Sequence, residues 1–294
     1  MPKDRQLHLF EPDPGAPAGP TVRGGAVVRE VACRTVLNRT APADYSFNCY
    51  TGCAHGCVYC YARFMQRFHP HQEPWGTFVD VKINAAEVMA RQVRRFPPGR
   101  VFTCSACDGW QGLERQYRLT RECCRILLEA GFGLGVLTKS DLVRRDFDLF
   151  AGRNVSIGVT ITTPDETLAR LWEPGASTVA ARLQILREAK RAGLRTTVMF
   201  GPLLPALSDT PEALRGLFAL AAEVEVDRIW TDALNPRPRV WPSVQELLGR
   251  RWPGLVPLYR RLLFDAKDRA RYQRELDARV RAAATAAGMA GQLG

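Results

Sequence analysis

Apolar and polar positions along this chain change period in blocks. Short runs rich in Val, Ile, Thr and Phe alternate with longer stretches whose apolar residues recur every three or four positions. Residues 44–48, 101–105, 133–138, 155–162, 196–200 and 227–231 read as strands. Between them the helical period appears at 84–96, where Val88, Met89 and Val93 share a side and Pro97-Pro98-Gly99 ends the pattern. It recurs after Thr120, read as a cap for a helix closed by Gly131, then at 141–150 and at 178–192 before Gly193. Thr210-Pro211-Glu212 carries an N-cap, a first-turn proline and an acid, and opens another helix. Strand and helix in repetition imply a parallel sheet with right-handed crossovers. Residues 1–22 hold five prolines and no period, which predicts a tail; residues 25–40 suggest one short strand; residues 63–71 gather Arg63, Arg67, His69 and His71 in a loop. From Ser243 the chain is helical and basic, with an apolar stripe of Leu258, Leu262, Ala266, Ala270, Leu276 and Val280. The division is thus a tail at 1–22, a core at 23–240 and a helical segment at 241–294 packed on the core.

Composition sharpens this. A chain of 294 residues, 46% hydrophobic, suffices for one large core, and α/β barrels often run to this length. The net charge is +11, carried by 36 Arg and only 5 Lys against 30 acids. A basic surface attracts polyanions, which makes nucleic acid a candidate partner; a solvated surface in an arginine-rich composition explains the charge equally well. The nine cysteines cluster instead of spacing out as a disulfide framework. No charged-then-apolar leader opens the chain and no apolar run approaches a membrane span. These features predict a reducing, cytoplasmic location and no membrane partner.

The candidate chemistry centres on Cys53-Ala54-His55-Gly56-Cys57-Val58-Tyr59-Cys60. Thiolates are soft ligands for iron–sulfur clusters or zinc. Three of them on one short loop can hold three irons of a cubane [4Fe-4S] cluster and leave the fourth iron open to a substrate. Gly52 and Gly56 permit the loop to wrap closely. Two non-enzymatic readings compete: a zinc knuckle using Cys49, Cys53, Cys57 and Cys60, or a four-cysteine electron-transfer cluster. Structural zinc usually takes two separated ligand pairs, unlike this contiguous run. Cys49 reads as a buried small residue at a strand end.

The spacing of Cys53, Cys57 and Cys60 resembles the CxxxCxxC signature of the radical S-adenosylmethionine (SAM) superfamily. The string from Asn48 through Tyr61-Ala62-Arg63 resembles the branch related to spore photoproduct lyase, and the likeness extends over roughly residues 22–217. The resemblance implies a partial (β/α)6 TIM-type barrel with a helical C-terminal extension. It implies Cys53, Cys57 and Cys60 as cluster ligands, SAM on the open iron, and an electron donor such as ferredoxin or flavodoxin. Reductive cleavage of SAM then yields a 5′-deoxyadenosyl radical that abstracts hydrogen. The branch's best-known activity, repair of a dimerised thymine, makes a nucleic acid lesion or base one candidate substrate; RNA, peptide and small metabolites stay open.

In such a barrel the site lies at the C-terminal strand ends. After the second strand stand Cys104 and Cys107, candidate active-site thiols, and Asp108, a candidate for the SAM amino group where the superfamily often has Gly-Gly-Glu. The lyase's hydrogen-donor position falls at Ser105, beside Cys104, and adjacent strand positions face opposite sides. After the third strand, Lys139 offers a compact ammonium for the SAM carboxylate or ribose, with Ser140 beside it. Thr160 matches the lyase's ribose contact. Gly201 suits close approach of the adenine, near which Tyr59 and Tyr61 are expected. Trp172-Glu173-Pro174-Gly175 followed by Arg182 resembles a further feature of the branch; Glu173 and Arg182 either pair or leave Arg182 free for a carboxylate. Asp232 and Asn235 end the sixth strand, facing the substrate. Cys123 and Cys124 read as core.

Overall fold

The computed structural model describes residues 21–294 apart from Gly24, Pro42, Pro236 and Pro238. The expected tail therefore lies outside the described residues as far as residue 20. Thr21 and Val22, expected to close it, belong instead to a strand.

The chain runs through β1 (Thr21–Arg23), β2 (Ala26–Val31), β3 (Leu37–Arg39), β4 (Tyr45–Phe47) and β5 (Tyr50–Thr51) into the cysteine loop. A 3₁₀ stretch (Tyr61–Arg67) follows, then β6 (Phe78–Lys82), α1 (Ala85–Gln92), β7 (Arg100–Thr103), α2 (Glu114–Tyr117), α3 (Leu119–Glu129) and β8 (Gly133–Thr138). Next come α4 (Phe147–Phe150), β9 (Val155–Ile161), α5 (Glu166–Trp172), α6 (Val179–Arg191), β10 (Arg195–Leu203), α7 (Pro211–Val224) and β11 (Arg228–Ala233). The chain ends in α8 (Trp241–Arg251), α9 (Val256–Phe264) and α10 (Ala266–Ala286).

A seven-stranded sheet has the order β11-β10-β9-β8-β7-β4-β3. The six strands from β4 to β11 are parallel neighbours, and β3 lies antiparallel on the edge. These are the six parallel strands expected from the period. The sheet ends at β11 and β3 and does not close, so the architecture is a partial barrel. Strand alternation divides its two faces. Val101, Val136, Ile157, Val159, Val198 and Ile229 are buried toward the helices. There they join Leu127, Val143, Ile185, Leu186, Leu217 and Phe218 in one cluster. Each such side chain contributes roughly 1.5–3 kcal/mol by leaving water. The opposite, concave face is left for the site.

Several elements depart from the sequence pattern. A second sheet, β1-β2-β6-β5, flanks the cysteine loop where a single strand was expected. Thr120 does not cap α3; it lies inside the helix and donates to the Gly109 carbonyl at 2.9 Å, while Arg118 holds the N-cap in a left-handed conformation. Asn84 spends its amide on both backbone groups of Cys33, so α1 starts at Ala85 without a side-chain cap. Residues 141–150 form a 3₁₀ stretch and a single turn of α4. The expected cap at Thr210 is present, and Thr178 caps α6 in the same way, each accepting from a backbone N–H three residues on. Asp265 caps α10 and splits the C-terminal stripe, leaving Ala266 and Ala270 exposed. The buried side is Tyr259, Leu263, Tyr272, Leu276 and Val280, and α10 packs on α7. Among the described residues no helix is long and apolar enough to cross a membrane.

Candidate active site

The cysteine loop is held from several directions. Gly52 has φ +87°, and a Cβ there would collide with the Phe78 carbonyl of β6. Gly56 (φ +61°) packs against Gly76 (φ +99°), where a Cβ would lie 2.7 Å from the Gly56 Cα. Gln111, fully buried, accepts from Ala54 N at 2.8 Å and donates to Gly52 O at 3.4 Å. The end of α5 grips the other side: Val58 N donates to Trp172 O, and Gly175 N to His55 O, both at 2.9 Å. From α8, Ser243 Oγ donates to Val58 O at 2.9 Å.

This brings Cys53, Cys57 and Cys60 to the wall of one cavity of about 140 Å³ at the C-terminal ends of the strands. Tyr61, Cys104, Cys107, Asp108, Lys139 and Thr160 line the same cavity. Burial pushes the Cys57 thiol up to about 12, against the pull of Lys139. Cys53 is raised well above the usual thiol range by burial and by Asp108. Cys60 is raised by burial, opposed by the Ala62 N–H, Lys139 and Arg63. A metal that binds here displaces thiol protons. Among the described residues no three His, Cys, Asp or Glu side chains gather closely enough to hold a single ion. Three thiols spread around one cavity are the donor set of a polynuclear cluster, whose irons each take one thiolate, so the residues fit an iron–sulfur cluster better than zinc. Cys49 is turned away, its Sγ fully buried 3.6 Å from that of Cys123.

The segment after β7 differs from its expected geometry. The strand stops at Thr103, and Cys104 adopts φ +57°. The alternation of faces ends there, so Cys104, Ser105, Ala106 and Cys107 all reach the cavity. The hydrogen bond with Cys107 and burial both raise the Cys104 thiol. Asn48, just past β4, positions this segment: its Oδ1 accepts from Ala106 N at 2.7 Å and from Cys107 Sγ at 3.6 Å. Tyr61 donates its hydroxyl to the Ser105 carbonyl.

Asp108 is already engaged. Its carboxylate accepts from Trp110 N at 2.9 Å, from Thr138 Oγ1 at 2.8 and 2.9 Å, and from Lys139 N at 2.8 Å. The His55 Nδ1 stands 3.4 Å away, and burial lowers that imidazole against the opposing pull of Asp108. Asp108 thereby clamps the turn that aims Lys139 into the cavity. The Lys139 Nζ lies 5.7 Å from the centre of the Tyr59 ring.

Beneath the loop is a buried charge pair. Glu173 meets Arg182 at 2.6 Å with side chains 0% and 1% exposed. Arg182 also donates to Thr160 O and Ser177 O, both at 2.9 Å. Glu173 accepts from Thr162 Oγ1 at 2.8 Å and from the Tyr59 hydroxyl. Burial raises the Glu173 carboxyl, but Arg182, Lys139 and these hydrogen bonds outweigh it and the net direction is down. Of the two readings for Arg182, the ion pair is the one formed.

Tyr59, Ser140 and Gly201 lie outside the cavity lining. Tyr59 is buried, stacked 6.4 Å from Trp172. Ser140 caps the following 3₁₀ turn by accepting from Leu142 N at 3.3 Å. The Gly201 carbonyl accepts from Thr162 Oγ1 at 3.0 Å. At the rim Asp232 is exposed to solvent, with its carboxyl raised by partial burial. Sequence reasoning missed Gln111, Asn48 and His55. The amides of Gln111 and Asn48 matter only through a tertiary contact, but His55 stood inside the motif.

The radical SAM superfamily model matches residues 47–217. An uncharacterized protein of Mycobacterium tuberculosis is 34% identical over 253 residues, 81% of this chain and 74% of its own length. Another, from Methanocaldococcus jannaschii, is 32% identical over 168 residues, covering 57% of this chain and 63% of itself. Among solved structures, a spore photoproduct lyase mutant superposes with TM-score 0.64 at 17% identity, covering 87% of this chain and 78% of that one. Spore photoproduct lyase complexed with dinucleoside spore photoproduct gives 0.57 at 17% identity, covering 77% of this chain and 66% of that one. These likenesses show a shared fold.

Proposed function

Because this chain belongs to the radical SAM superfamily, we propose that its cavity holds a [4Fe-4S] cluster on Cys53, Cys57 and Cys60 with SAM beside it. When bound, cluster and cofactor supply a 5′-deoxyadenosyl radical for hydrogen abstraction from substrate. One observation carries the reading: the three thiols, Lys139 and the Cys104/Cys107 pair converge on a single cavity at the strand ends.

The chain's own residues then have distinct tasks. Lys139 faces the SAM carboxylate as a point charge. Asp108, with its acceptors filled, is a positioning residue for Lys139 and leaves the SAM ammonium to other acceptors. The Thr160 hydroxyl serves the ribose, and Tyr61 walls the adenine side. Tyr59, Glu173 and Arg182 support the loop from below and keep water from the thiolates. Cys104 and Cys107 stand where a substrate radical would be quenched by a thiol hydrogen. A ferredoxin or flavodoxin in a reducing cytoplasm supplies the electron. A nucleic acid lesion or base is the substrate class to which a net charge of +11 offers a complementary surface.

The test is anaerobic. Protein reconstituted with iron and sulfide, reduced with dithionite and given SAM is expected to release 5′-deoxyadenosine. Cys57→Ala should abolish cluster and product, whereas Cys49→Ala should keep both. A full cluster in Cys57→Ala, or a cluster lost with Cys49, would reject the ligand assignment.

A further inference from the structure

The concave face carries more than the cluster cavity. Strand register sets its side chains in rows. Phe102, Gly135, Ser156 and Arg195 are successive partners across β7 to β10. Leu137, Gly158, Thr197 and Arg228 are successive partners across β8 to β11. Each row has a glycine where a side chain would fill the lumen; a Cβ on Gly158 would lie 2.8 Å from Val136 O and 3.1 Å from Leu137 Cδ1. The space left is a second pocket of about 150 Å³ toward the N-terminal ends of the strands. Arg100, Arg195, Arg228, Ser156, Thr197 and Trp230 line it. Phe102 and Leu137 border both this pocket and the cluster cavity, so the two meet at those side chains.

Three arginines, Arg100, Arg195 and Arg228, line the pocket, each exposed to solvent. Among the described residues none of them has a carboxylate within ion-pair distance, and Arg195 donates only to Asn154 Oδ1 at 2.8 Å. The carboxylate in the lining, Asp227, is taken: its Oδ2 accepts from Thr196 N at 2.7 Å and Thr196 Oγ1 at 2.9 Å, with Lys190 4.0 Å from its Oδ1. The pocket therefore keeps an excess of positive charge, with hydroxyl donors between the guanidiniums.

We propose that this pocket binds the terminal phosphate of a small phosphorylated substrate, a mononucleotide, and so orients it up the lumen toward the cluster cavity. Guanidinium forks match phosphate oxygens in pairs, and donors from four strands surround a tetrahedral anion better than a planar carboxylate. From Ser156 to Thr160, which lines the upper cavity, the strand rises about 13 Å, the reach of a nucleoside phosphate. A pocket this small takes a chain end, not a strand passing through. The inference rests on the reading that hydrogen abstraction occurs in the upper cavity.

The test is equilibrium binding to the full-length protein with its cluster, without SAM, using uridine 5′-monophosphate, uridine and inorganic phosphate as probes. The nucleotide is expected to bind saturably, tighter than phosphate and much tighter than uridine. Arg100→Gln and Arg228→Gln should each weaken it about tenfold, the worth of one charge-assisted hydrogen bond. Thr197→Val provides a milder variant should the arginine variants fold poorly. SAM cleavage without substrate should be unchanged in all three. Uridine binding as tightly as its phosphate, or nucleotide binding indifferent to Arg100 and Arg228, would overturn the proposal. Failure of SAM cleavage in the unsubstituted protein would sink the reaction assignment alone, because the binding is measured without it.

Discussion

Two fully buried carboxylates stand behind the cysteine loop, and they behave oppositely. Glu173 and Glu114 both have side chains 0% exposed. Glu173 faces Arg182, itself only 1% exposed, and its carboxyl is held below the ordinary range. Glu114 faces Arg145, which is 23% exposed and 3.2 Å away, and takes the rest of its bonds from the Tyr50 hydroxyl and the N–H groups of Thr120 and Arg121. Burial raises the Glu114 carboxyl, and those partners do not bring it back. Burial alone therefore does not set the charge. A partner charge shut into the same dry space does, because water cannot screen the pair. Glu173 with Arg182 forms a fixed ion pair under the ligand loop, while Glu114 is a hydrogen-bond hub.

The largest expected effect comes from breaking that pair. Arg182→Met leaves Glu173 as an uncompensated buried charge and should cost about 3–5 kcal/mol in urea unfolding. Adding Glu173→Gln to it should restore part of the loss, since the buried charge is then gone. An Arg182→Met protein within about 1 kcal/mol of the parent would show that water reaches Glu173. A smaller effect is expected at Gly175, two residues beyond Glu173. A Cβ there would lie 2.5 Å from Ala54 O and 2.8 Å from the His55 Cα. Gly175→Ala should cost about 1–3 kcal/mol by overpacking. It should also lower the iron bound per chain, because the displaced backbone carries the residues next to Cys53 and Cys57. Full iron content in that variant would mean that the loop tolerates the shift.

The contrast also explains what the sequence showed and what it hid. The parallel strands from β4 to β11 were legible because each is a run of β-branched and apolar residues between helical blocks. The small sheet was not. β1 and β5 span 3 and 2 residues, too short for a pattern, and β6 buries Asp80 and Lys82 as if they were apolar. The ligand cysteines were legible from spacing alone. Their surroundings depended on backbone turns that spacing does not encode: the left-handed Cys104 brings four consecutive residues into the cavity where alternation predicted two. Asp108 stands in sequence as an unengaged carboxylate at a strand end; only the approach of Thr138 and Lys139 from the next strand fills it. Glu173 had Arg182 named beside it as one of two readings, nine residues along the same motif, whereas nothing near Glu114 names Arg145, thirty-one residues on.

The smallest expected effect, a change of stability with pH, isolates Glu114. Its folded carboxyl is raised above the unfolded value, so the unfolded chain gives up this proton first as pH climbs. The folded state then binds more protons, and the contribution of Glu114 to stability declines from the unfolded carboxylate value up through the folded one. Glu114→Gln removes the titration but leaves one acceptor oxygen, which serves either the Tyr50 hydroxyl and the Thr120 N–H or the Arg121 N–H, and turns an amide NH2 toward the donors of the other side. The substitution should cost about 1–3 kcal/mol at acid pH, the cost of leaving a buried donor without its acceptor. The gap between parent and variant should narrow or reverse toward neutrality. Urea midpoints measured for both proteins across pH 4–8 (roughly the span in which a raised carboxyl titrates) read this difference directly, with every other carboxylate common to both. A gap that widens with pH would mean that Glu114, like Glu173, is held as an anion, and that Arg145 closes over it in solution more tightly than its exposure suggests.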